Sequence, residues 1–226
     1  MHLNNRVLNQ VTLVSVAGIN SNVAIQAMER SLDQIGFYDA KILTPEKPSR
    51  LPSTIKWEQI PKLRLRAPGV DDYSRFVLYE LHNFVQTDFC LVVQGDGYVI
   101  DGRAWSEEFL EYDYIGAPWP IKKDAYIDPF GNHQRVGNGG FSIRSKKLLE
   151  VPVSVDIPWD VNVGTFYRHM DAGSLAEDGN ICVHNKHLYE KAGCKFAPLE
   201  VALKFSRELP IPEYSGQSTF GFHRYL

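Results

Sequence analysis

The sequence predicts one α/β domain with a mainly parallel sheet, and three observations lead to this class. An apolar, β-branched run at 11–17 is followed by helical spacing over 23–35 and by a second apolar run at 40–43. Farther along, a helical stripe at 73–85 leads into an apolar run at 89–93. A chain of 226 residues that is 44% hydrophobic and 23% charged matches an ordinary globular protein. Strands that alternate with helices are typical of βαβ units and hence of parallel sheets.

The first strand and helix have clear limits. Gly18 and the polar residues after it end the first run, and Gly36 stops the helix. The helix is indicated by apolar residues on one stripe, namely Val23, Ala24, Ala27, Met28, Leu32 and Ile35. Ser21 and Asn22 suit ordinary capping of its N-terminus. Residues 44–70 contain five prolines, which predicts a loop-rich excursion with one short strand near 55–60.

The run at 89–93 is predicted to be a buried strand that ends in the polar tip Gln94-Gly95-Asp96-Gly97. The chain then turns apolar again at 98–100. In open α/β sheets ligands bind beyond the carboxyl ends of the strands, where a carboxylate between glycines suits a divalent cation and its phosphates. The alternative is a Gly-Asp-Gly turn that joins two strands as a hairpin.

The second half is less regular and richer in aromatic residues, proline and glycine, as expected of a binding region built from loops. Residues 112–119 are strand-like and end in a turn. A glycine cluster at 137–140 runs into a short strand, and a helix starts at Ser145. Residues 177–192 are predicted to form one helix that begins with two acidic residues.

Composition excludes some classes of function. The formal charge of −3 gives no electrostatic case for a nucleic-acid or anionic-membrane partner. No run approaches the about 18 apolar residues of a membrane span, and the N-terminus lacks the apolar core of a signal peptide. Three cysteines without metal-like spacing point to a reducing compartment, with Cys90 as a small buried hydrophobe. We therefore expect a cytoplasmic protein, whose oligomeric state stays open.

Four features occur in a set order: Gln94-Gly95-Asp96 after a strand, the glycine loop 137–140, the acidic pair Glu177-Asp178 and the late His223. This order resembles that of GT-A-type nucleotide-sugar glycosyltransferases. The segments Tyr-Asp-Tyr-Ile-Gly-Ala-Pro-Trp at 112–119 and Gly-Asn-Gly-Gly-Phe-Ser-Ile-Arg-Ser at 137–145 look more narrowly like a poorly characterised family of glycosyltransferase-like domains from microbes and viruses. The resemblance covers roughly residues 70–225.

The resemblance implies a GT-A-like, Rossmann-like mixed sheet flanked by helices within a single domain, 1–226. About 8–100 would bind the nucleotide and about 101–226 the acceptor. The implied reaction moves a sugar from a nucleotide-diphosphate donor to a hydroxyl of a glycan or other acceptor, a step typical of polysaccharide biosynthesis.

The resemblance also assigns roles to individual residues. Asp178, with Glu177 as the second choice, would be the catalytic base, and Asp96 with His223 would bind the metal. The residues that would bind the nucleotide-sugar donor lie after two strands: Ala17, Gly18, Asn20, Gln94, Gly95, Asp96 and Gly97. The residues that would contact the sugar or the acceptor are Trp119, Asn138, Gly139, Gly140 and Arg144.

The sequence departs from the family pattern at Gln94, which replaces the first carboxylate of an Asp-x-Asp motif. A neutral amide can bind a hard cation but adds no charge, so we expect weak or conditional dependence on Mn2+ or Mg2+. Mn2+ is favoured because an imidazole ligand suits it better.

Simpler explanations exist for each candidate residue. The acidic pair can serve only the helix dipole, the glycines only a tight turn, and Asn138 only a left-handed turn. Trp119 can be a core residue and Arg144 can lie on a solvated face. A sugar nucleotidyltransferase and a non-catalytic carbohydrate-binding module are the alternative functions.

Overall fold

The structure of the protein is a computed structural model, and it describes residues 6–18, 20–63, 71–123, 125–159, 176–214, 216 and 218–224. Its nine strands among these residues are, in chain order, β1 Val7–Val16, β2 Gly36–Thr44, β3 Lys56–Gln59, β4 Phe89–Val93, β5 Gly97–Val99, β6 Tyr114–Ile115, β7 Phe141–Ser145, β8 Ser206–Arg207 and β9 Gly221–His223. The helices are α1 Ser21–Gln34, α2 Asp71–Tyr79, α3 Lys146–Ser154, α4 Glu177–Gly179, α5 Lys186–Lys191 and α6 Leu199–Phe205.

Six strands form the central sheet in the order β3-β2-β1-β4-β7-β6. The four strands β3, β2, β1 and β4 run parallel, as the βαβ pattern predicted, whereas β7 and β6 pair antiparallel at the far edge. Buried apolar residues lie on both faces of β1 and β4, which is typical of a sheet covered on both sides. The predicted mixed, mainly parallel sheet is therefore confirmed.

The second sheet is small and has the order β5-β9-β8. In it β5 pairs antiparallel with β9, from Gly97 opposite His223 to Val99 opposite Gly221. The tip 94–97 does form a turn between two strands, closed by a hydrogen bond from the Gly97 amide to the Gln94 carbonyl at 3.1 Å. The two strands do not form a hairpin, because β5 leaves the central sheet and pairs with the C-terminal strand. This pairing brings the C-terminal segment to the end of β4.

The predicted helices appear in the expected order with two differences, and α6 is a further helix that the sequence analysis did not predict. The helical stripe at 73–85 is divided into α2 and a short 3₁₀ turn, Leu81–Phe84. The single helix predicted for 177–192 is wrong: α4 leads into a π-helical stretch, Asn180–His184, and a break at Asn185 precedes α5. Widened π turns are rare and frequently occur at functional sites.

The core is largely as the hydrophobic pattern predicted. Cys90 is fully buried within β4, and Ser145 caps α3 by accepting a hydrogen bond from the amide of Leu148. Phe220, just before β9, is also fully buried, so the aromatic C-terminal segment is packed into the protein. Among the residues described, no helix combines the length and apolarity required to cross a membrane.

Candidate functional site

The polar tip after β4 lies at the carboxyl edge of the parallel sheet, beside the end of β1. Val14 pairs with Val92 in the two strands, and the hydroxyl of Ser15 donates to the carbonyl of Val93 at 2.7 Å. The donor-binding candidates Ala17, Gly18 and Asn20 follow β1, so they and Gln94 leave the sheet at the same edge. This is where open α/β sheets bind ligands.

Asp96 and His223 meet at this edge. The Oδ1 atom of Asp96 lies 3.2 Å from Nε2 of His223, and the backbone pairing of β5 with β9 holds the two segments together. Arg224 Nε lies 3.5 Å from the other oxygen of Asp96. The neighbouring His223, with a smaller contribution from Arg224, lowers the pKa of Asp96. This carboxylate is therefore charged at neutral pH, and its side chain is 56% exposed.

His223 is almost fully enclosed, with 5% of its side chain exposed. Its other ring nitrogen, Nδ1, lies 2.9 Å from Asn138 Nδ2 and 3.3 Å from Glu208 Oε1. Burial alone would lower the pKa of His223, but the carboxylates of Asp96 and Glu208 outweigh burial and raise it to about 9. The imidazole is therefore a buried cation when no other cation is present.

The loop 137–140 connects the histidine to the acidic pair. Asn138 has left-handed backbone geometry (φ 66°), and its side-chain oxygen accepts a hydrogen bond from the amide of Phe141 at 3.2 Å. A Cβ atom on Gly140 would lie 2.2 Å from His223 Nε2, and one on Gly139 would lie 2.0 Å from Glu177 Oε1. The two glycines are thus required by the close approach of side chains to the loop, and neither has a positive φ.

Asp178 lies on the other side of this loop. Its carboxylate accepts hydrogen bonds from the amides of Gly139 at 3.0 Å and Gly179 at 2.7 Å. Burial raises the pKa of Asp178, and the negative charges of Glu177 and Glu208 raise it further. These three effects outweigh the two amide hydrogen bonds, which lower the pKa. A carboxyl group with a raised pKa in such a position is suited to accept a proton.

Glu177 points away from Asp178 into the protein. Its Oε1 atom accepts a hydrogen bond from Arg144 at 2.8 Å, and both side chains are buried. Arg144 also donates to Ser142 Oγ and to the carbonyl of Gly139. This buried ion pair packs against the loop through the carbonyl of Gly139, and it engages Glu177 but not Asp178.

Two predicted sugar contacts need correction. Arg144 is fully buried, because β7 is an inner strand whose five residues are all buried, so the alternative of a solvated face is wrong as well. Trp119 is 3% exposed and stacks on Tyr126 with ring centroids 4.4 Å apart. Neither side chain presents a surface to a ligand in this structure. Sugar or acceptor contact by Asn138, Gly139 and Gly140 stays a prediction.

Gln94 is tied to its surroundings through both backbone and side chain. Its amide nitrogen Nε2 donates to the Tyr73 hydroxyl on α2 at 3.0 Å, and its backbone N–H donates to the carbonyl of Gly140 at 2.9 Å. A Cβ atom on Gly95 would lie 2.7 Å from a methyl group of Val23 in α1. Packing against α1 therefore accounts for Gly95.

Glu208 is the site residue that sequence reasoning missed. It follows β8, which pairs parallel with β9 so that Arg207 lies opposite Phe222. One further step along each strand brings Glu208 to His223. No local motif marks Glu208, because its position depends on the pairing of two short strands that are distant in the chain.

The residues at this edge fit a divalent cation in part. Asp96 Oδ1 and His223 Nε2 face each other at 3.2 Å, and Nε2 is a buried atom with no other polar partner among the described residues. Within the described ranges, however, no group of three or more His, Cys, Asp or Glu side chains is arranged to hold a metal ion. A cation here would thus have two protein ligands, Asp96 and His223, and would need the others from a ligand such as a diphosphate.

Comparison with known protein families identifies the chain. Residues 55–223 match a family described as a protein of unknown function, DUF5672. The chain belongs to the DUF5672 family. The match covers most of the chain, from β3 to the end of β9, and includes Asp96, Asp178 and His223 but neither Arg224 nor the residues that follow β1. No curated protein matches the chain.

Solved structures show which fold this family has. The galactosyltransferase LgtC, in complex with donor and acceptor sugar analogues, is 12% identical, with 94% of this chain and 86% of that chain covered at a TM-score of 0.54. An active-site variant of LgtC gives the same values. A protein described as a glucose-1-phosphate thymidylyltransferase from Bacillus anthracis, in complex with a sucrose, is 14% identical, with 83% of this chain and 86% of that chain covered at a TM-score of 0.47. The likeness to LgtC confirms the predicted GT-A-like fold.

Proposed function

We propose that this protein is a glycosyltransferase that moves a sugar from a nucleotide-diphosphate donor to a hydroxyl of a glycan or other acceptor. The observation that supports this most is the continuous set of contacts from Asp96 through His223 and Asn138 to Gly139 and Asp178. It lies at the sheet edge where open α/β folds bind ligands. One end is suited to a cation or diphosphate and the other to a reacting hydroxyl.

The first part of the proposed mechanism concerns the donor. Transfer leaves a negative charge on the diphosphate, and positive charge beside it lowers the barrier. Asp96 and His223 would hold a divalent cation that supplies this charge. The raised pKa of His223 means that a proton competes with the cation for Nε2, in keeping with the expected weak or conditional metal dependence.

The second part concerns the acceptor. Asp178 would take the proton of the acceptor hydroxyl as that oxygen bonds to the sugar carbon and the diphosphate leaves. General-base catalysis of this kind contributes about 10²–10⁴-fold to a rate. The amides of Gly139 and Gly179 hold the carboxylate in place, so that it does not need to reorganise during the reaction.

A ligand screen tests donor binding. Thermal unfolding is followed with different nucleoside diphosphates, with Mn2+ and with both together, because a ligand of the native state raises the apparent stability. We expect the nucleoside diphosphate with one particular nucleobase to raise the melting temperature most. Mn2+ should increase this rise in wild type but not in Asp96→Asn. Equal, negligible shifts with every nucleotide would contradict donor binding at this edge.

A product assay separates the alternative functions. We expect nucleoside diphosphate to be released from a nucleotide sugar and sugar to appear on the acceptor. Pyrophosphate release from a nucleoside triphosphate would instead identify a nucleotidyltransferase. Binding of glycans without turnover would indicate a carbohydrate-binding module. Full activity in the presence of EDTA would remove the metal from the mechanism while leaving the transfer reaction in place.

A further inference from the structure

A separate cavity lies beside the π-helical stretch and shares no residue with the candidate site described above. Its volume is about 330 Å³, within the range of about 300–1,000 Å³ that is typical of small-molecule sites. One wall is formed by side chains of the loop 128–134. The other is formed by Val183 of the π-helical stretch and by Lys186, His187 and Glu190 of α5.

Asp128 holds the loop wall in place and is only 7% exposed. Its Oδ1 atom accepts hydrogen bonds from the backbone amides of Phe130 at 2.9 Å and Asn132 at 2.8 Å. Its Oδ2 atom accepts from the side-chain nitrogens of Asn132 at 3.2 Å and Gln134 at 2.9 Å. Burial raises the pKa of Asp128, but these hydrogen bonds outweigh burial and lower it. The carboxylate is therefore charged at neutral pH, and both of its oxygens are occupied.

This carboxylate sets the direction of two side-chain amides. Because a carboxylate only accepts, the NH2 groups of Asn132 and Gln134 face Asp128, and their carbonyl oxygens are turned away from it. Neither oxygen accepts a hydrogen bond from any residue that the structure describes. Both side chains line the cavity, so it offers two fixed acceptors to the hydroxyl groups of a ligand.

Phe130 adds an apolar surface to this polar wall. Its side chain is 67% exposed, which is unusual for a phenylalanine, and it lines the cavity. Its ring meets that of His187 at a right angle, with centroids 5.1 Å apart. An aromatic face beside fixed hydrogen-bonding groups is the combination that binds a ring with one apolar and one polar side.

The charges around the cavity disfavour an ionic ligand. Lys186 Nζ lies 2.9 Å from Glu190 Oε1, so these two charges are paired. An anion would meet the carboxylates of Asp128 and Glu190. A cation would have to displace Lys186 or the amide groups that already occupy Asp128. A neutral ligand with several hydroxyl groups and an apolar ring face fits best, and a carbohydrate has both.

Both walls lead to the reacting centre. Val183 follows Asp178 by five residues in one helical segment, a separation of at most about 8 Å at the rise of an α-helix. On the loop wall, the backbone amide of Gln134 donates to the carbonyl of Tyr126 at 2.6 Å. Burial raises the pKa of Tyr126 to about 12, and the charges of Glu208 and Asp178 contribute to this shift. Tyr126 therefore lies close to the acid that would activate the acceptor.

We propose that this cavity is a subsite for the acceptor glycan, which holds a sugar unit next to the one that reacts. Phe130 would lie under the sugar ring, and Asn132 and Gln134 would accept hydrogen bonds from its hydroxyl groups. This inference rests on the proposed function, in which a glycan is the acceptor. It implies that an oligosaccharide is a better acceptor than its terminal sugar alone.

The first test measures saccharide binding and needs neither donor nor metal. Saturation-transfer difference NMR is used to titrate cellotriose, chitotriose, mannotriose and lactose. We expect at least one of them to bind wild type, and Phe130→Ala to weaken that binding about tenfold or more, because the apolar contact is lost. Phe130→Tyr keeps the ring and should bind as wild type does.

Tyr38→Ala is the matched control. Tyr38 is an aromatic residue of β2 that is 63% exposed and does not line the cavity. Its removal should leave saccharide binding as in wild type. Since Phe130 is equally exposed, Phe130→Ala is expected to fold, and its melting temperature checks this.

The second test compares long and short acceptors in the transfer reaction. Each oligosaccharide is paired with a simple sugar that has the same terminal unit: methyl β-glucoside, N-acetylglucosamine, methyl α-mannoside or methyl β-galactoside. We expect a higher kcat/KM for the longer acceptor in wild type. In Phe130→Ala the ratio of the two kcat/KM values should fall about tenfold or more.

No binding of any of the four oligosaccharides to wild type, or binding by Phe130→Ala within about twofold of wild type, would overturn the subsite. Transfer by wild type with the same preference for long acceptors in Phe130→Ala would also overturn it, while leaving the proposed function in place. The failure of the proposed function looks different. Wild type would then transfer no sugar to any acceptor, although Phe130→Ala still weakens saccharide binding.

Discussion

At the scale of single residues, Asp178 combines two stabilising contacts with a raised pKa. The amides of Gly139 and Gly179 favour its charged form, but burial and the two nearby carboxylates disfavour it more strongly. The charge of Asp178 therefore destabilises the folded protein, which is typical of groups retained for function rather than stability.

The first prediction concerns catalysis by Asp178. Asp178→Asn keeps the size of the side chain but cannot accept a proton, so we expect the rate of sugar transfer to fall about 100-fold or more. Nucleotide binding, measured by thermal shift, should remain. Asp156→Asn removes a carboxylate that does not belong to the cluster and is the control. Transfer within about tenfold of wild type would show that Asp178 is not the base.

The second prediction concerns the pH dependence of stability. The folded-state pKa of Asp178 is about 7, above its ordinary value of 3.8. Between these values the folded protein binds more protons than the unfolded chain, so this group lowers stability as the pH rises. Asp178→Asn lacks the effect. We expect the difference in melting temperature between variant and wild type to shift in favour of the variant from about pH 5 to about pH 8, and a shift in the opposite direction would contradict the raised pKa.

The third prediction separates Glu177 from Asp178. Glu177→Gln leaves the buried Arg144 guanidinium without its counter-charge, and breaking a buried ion pair costs about 3–5 kcal/mol. We expect urea unfolding to show a loss of this size, with residual transfer activity in the folded fraction. A stable Glu177→Gln protein without activity would instead make Glu177 the catalytic base.

At the scale of elements, the loop 137–140 sets the distance between the two ends of the site. The fourth prediction is that Gly140→Ala displaces His223, because the added methyl group would lie 2.2 Å from Nε2. We expect Gly140→Ala to bind Mn2+ more weakly than wild type and to lose less stability than Glu177→Gln does. Gly131→Asn is the control: Gly131 has open space around it, and its positive φ strains any side chain, so the variant should lose some stability but bind Mn2+ as wild type does. Equal Mn2+ binding by wild type and Gly140→Ala would contradict the close packing of the loop on His223.

The elements also show how far sequence reasoning reaches. The parallel strands and α1 could be predicted because their periodicity is local, and the cluster of β4, the glycine loop and His223 could be predicted from a resemblance in motif order. The pairing of β5 with β9, the π-helical stretch after Asp178 and the position of Glu208 depend on contacts between distant segments. Arg144 was misjudged because alternation along β7 does not reveal that both faces of that strand are covered.

At the scale of the whole molecule, the sheet brings residues from five segments to one edge. The carboxyl ends of β1 and β4, the small sheet, the glycine loop and α4 meet there, and the fold is shared with a galactosyltransferase at 12% identity. Low identity establishes a shared fold and not a shared reaction. The reaction therefore has to be tested on this chain.

The most direct test is the release of nucleoside diphosphate from a panel of nucleotide sugars, with Mn2+ and a mixture of glycan acceptors, by wild type, Asp178→Asn and Asp156→Asn. We predict release with at least one donor by wild type and Asp156→Asn, and release reduced about 100-fold or more by Asp178→Asn. No release from any donor, or equal release by all three proteins, would contradict the assignment of this site as the centre of sugar transfer.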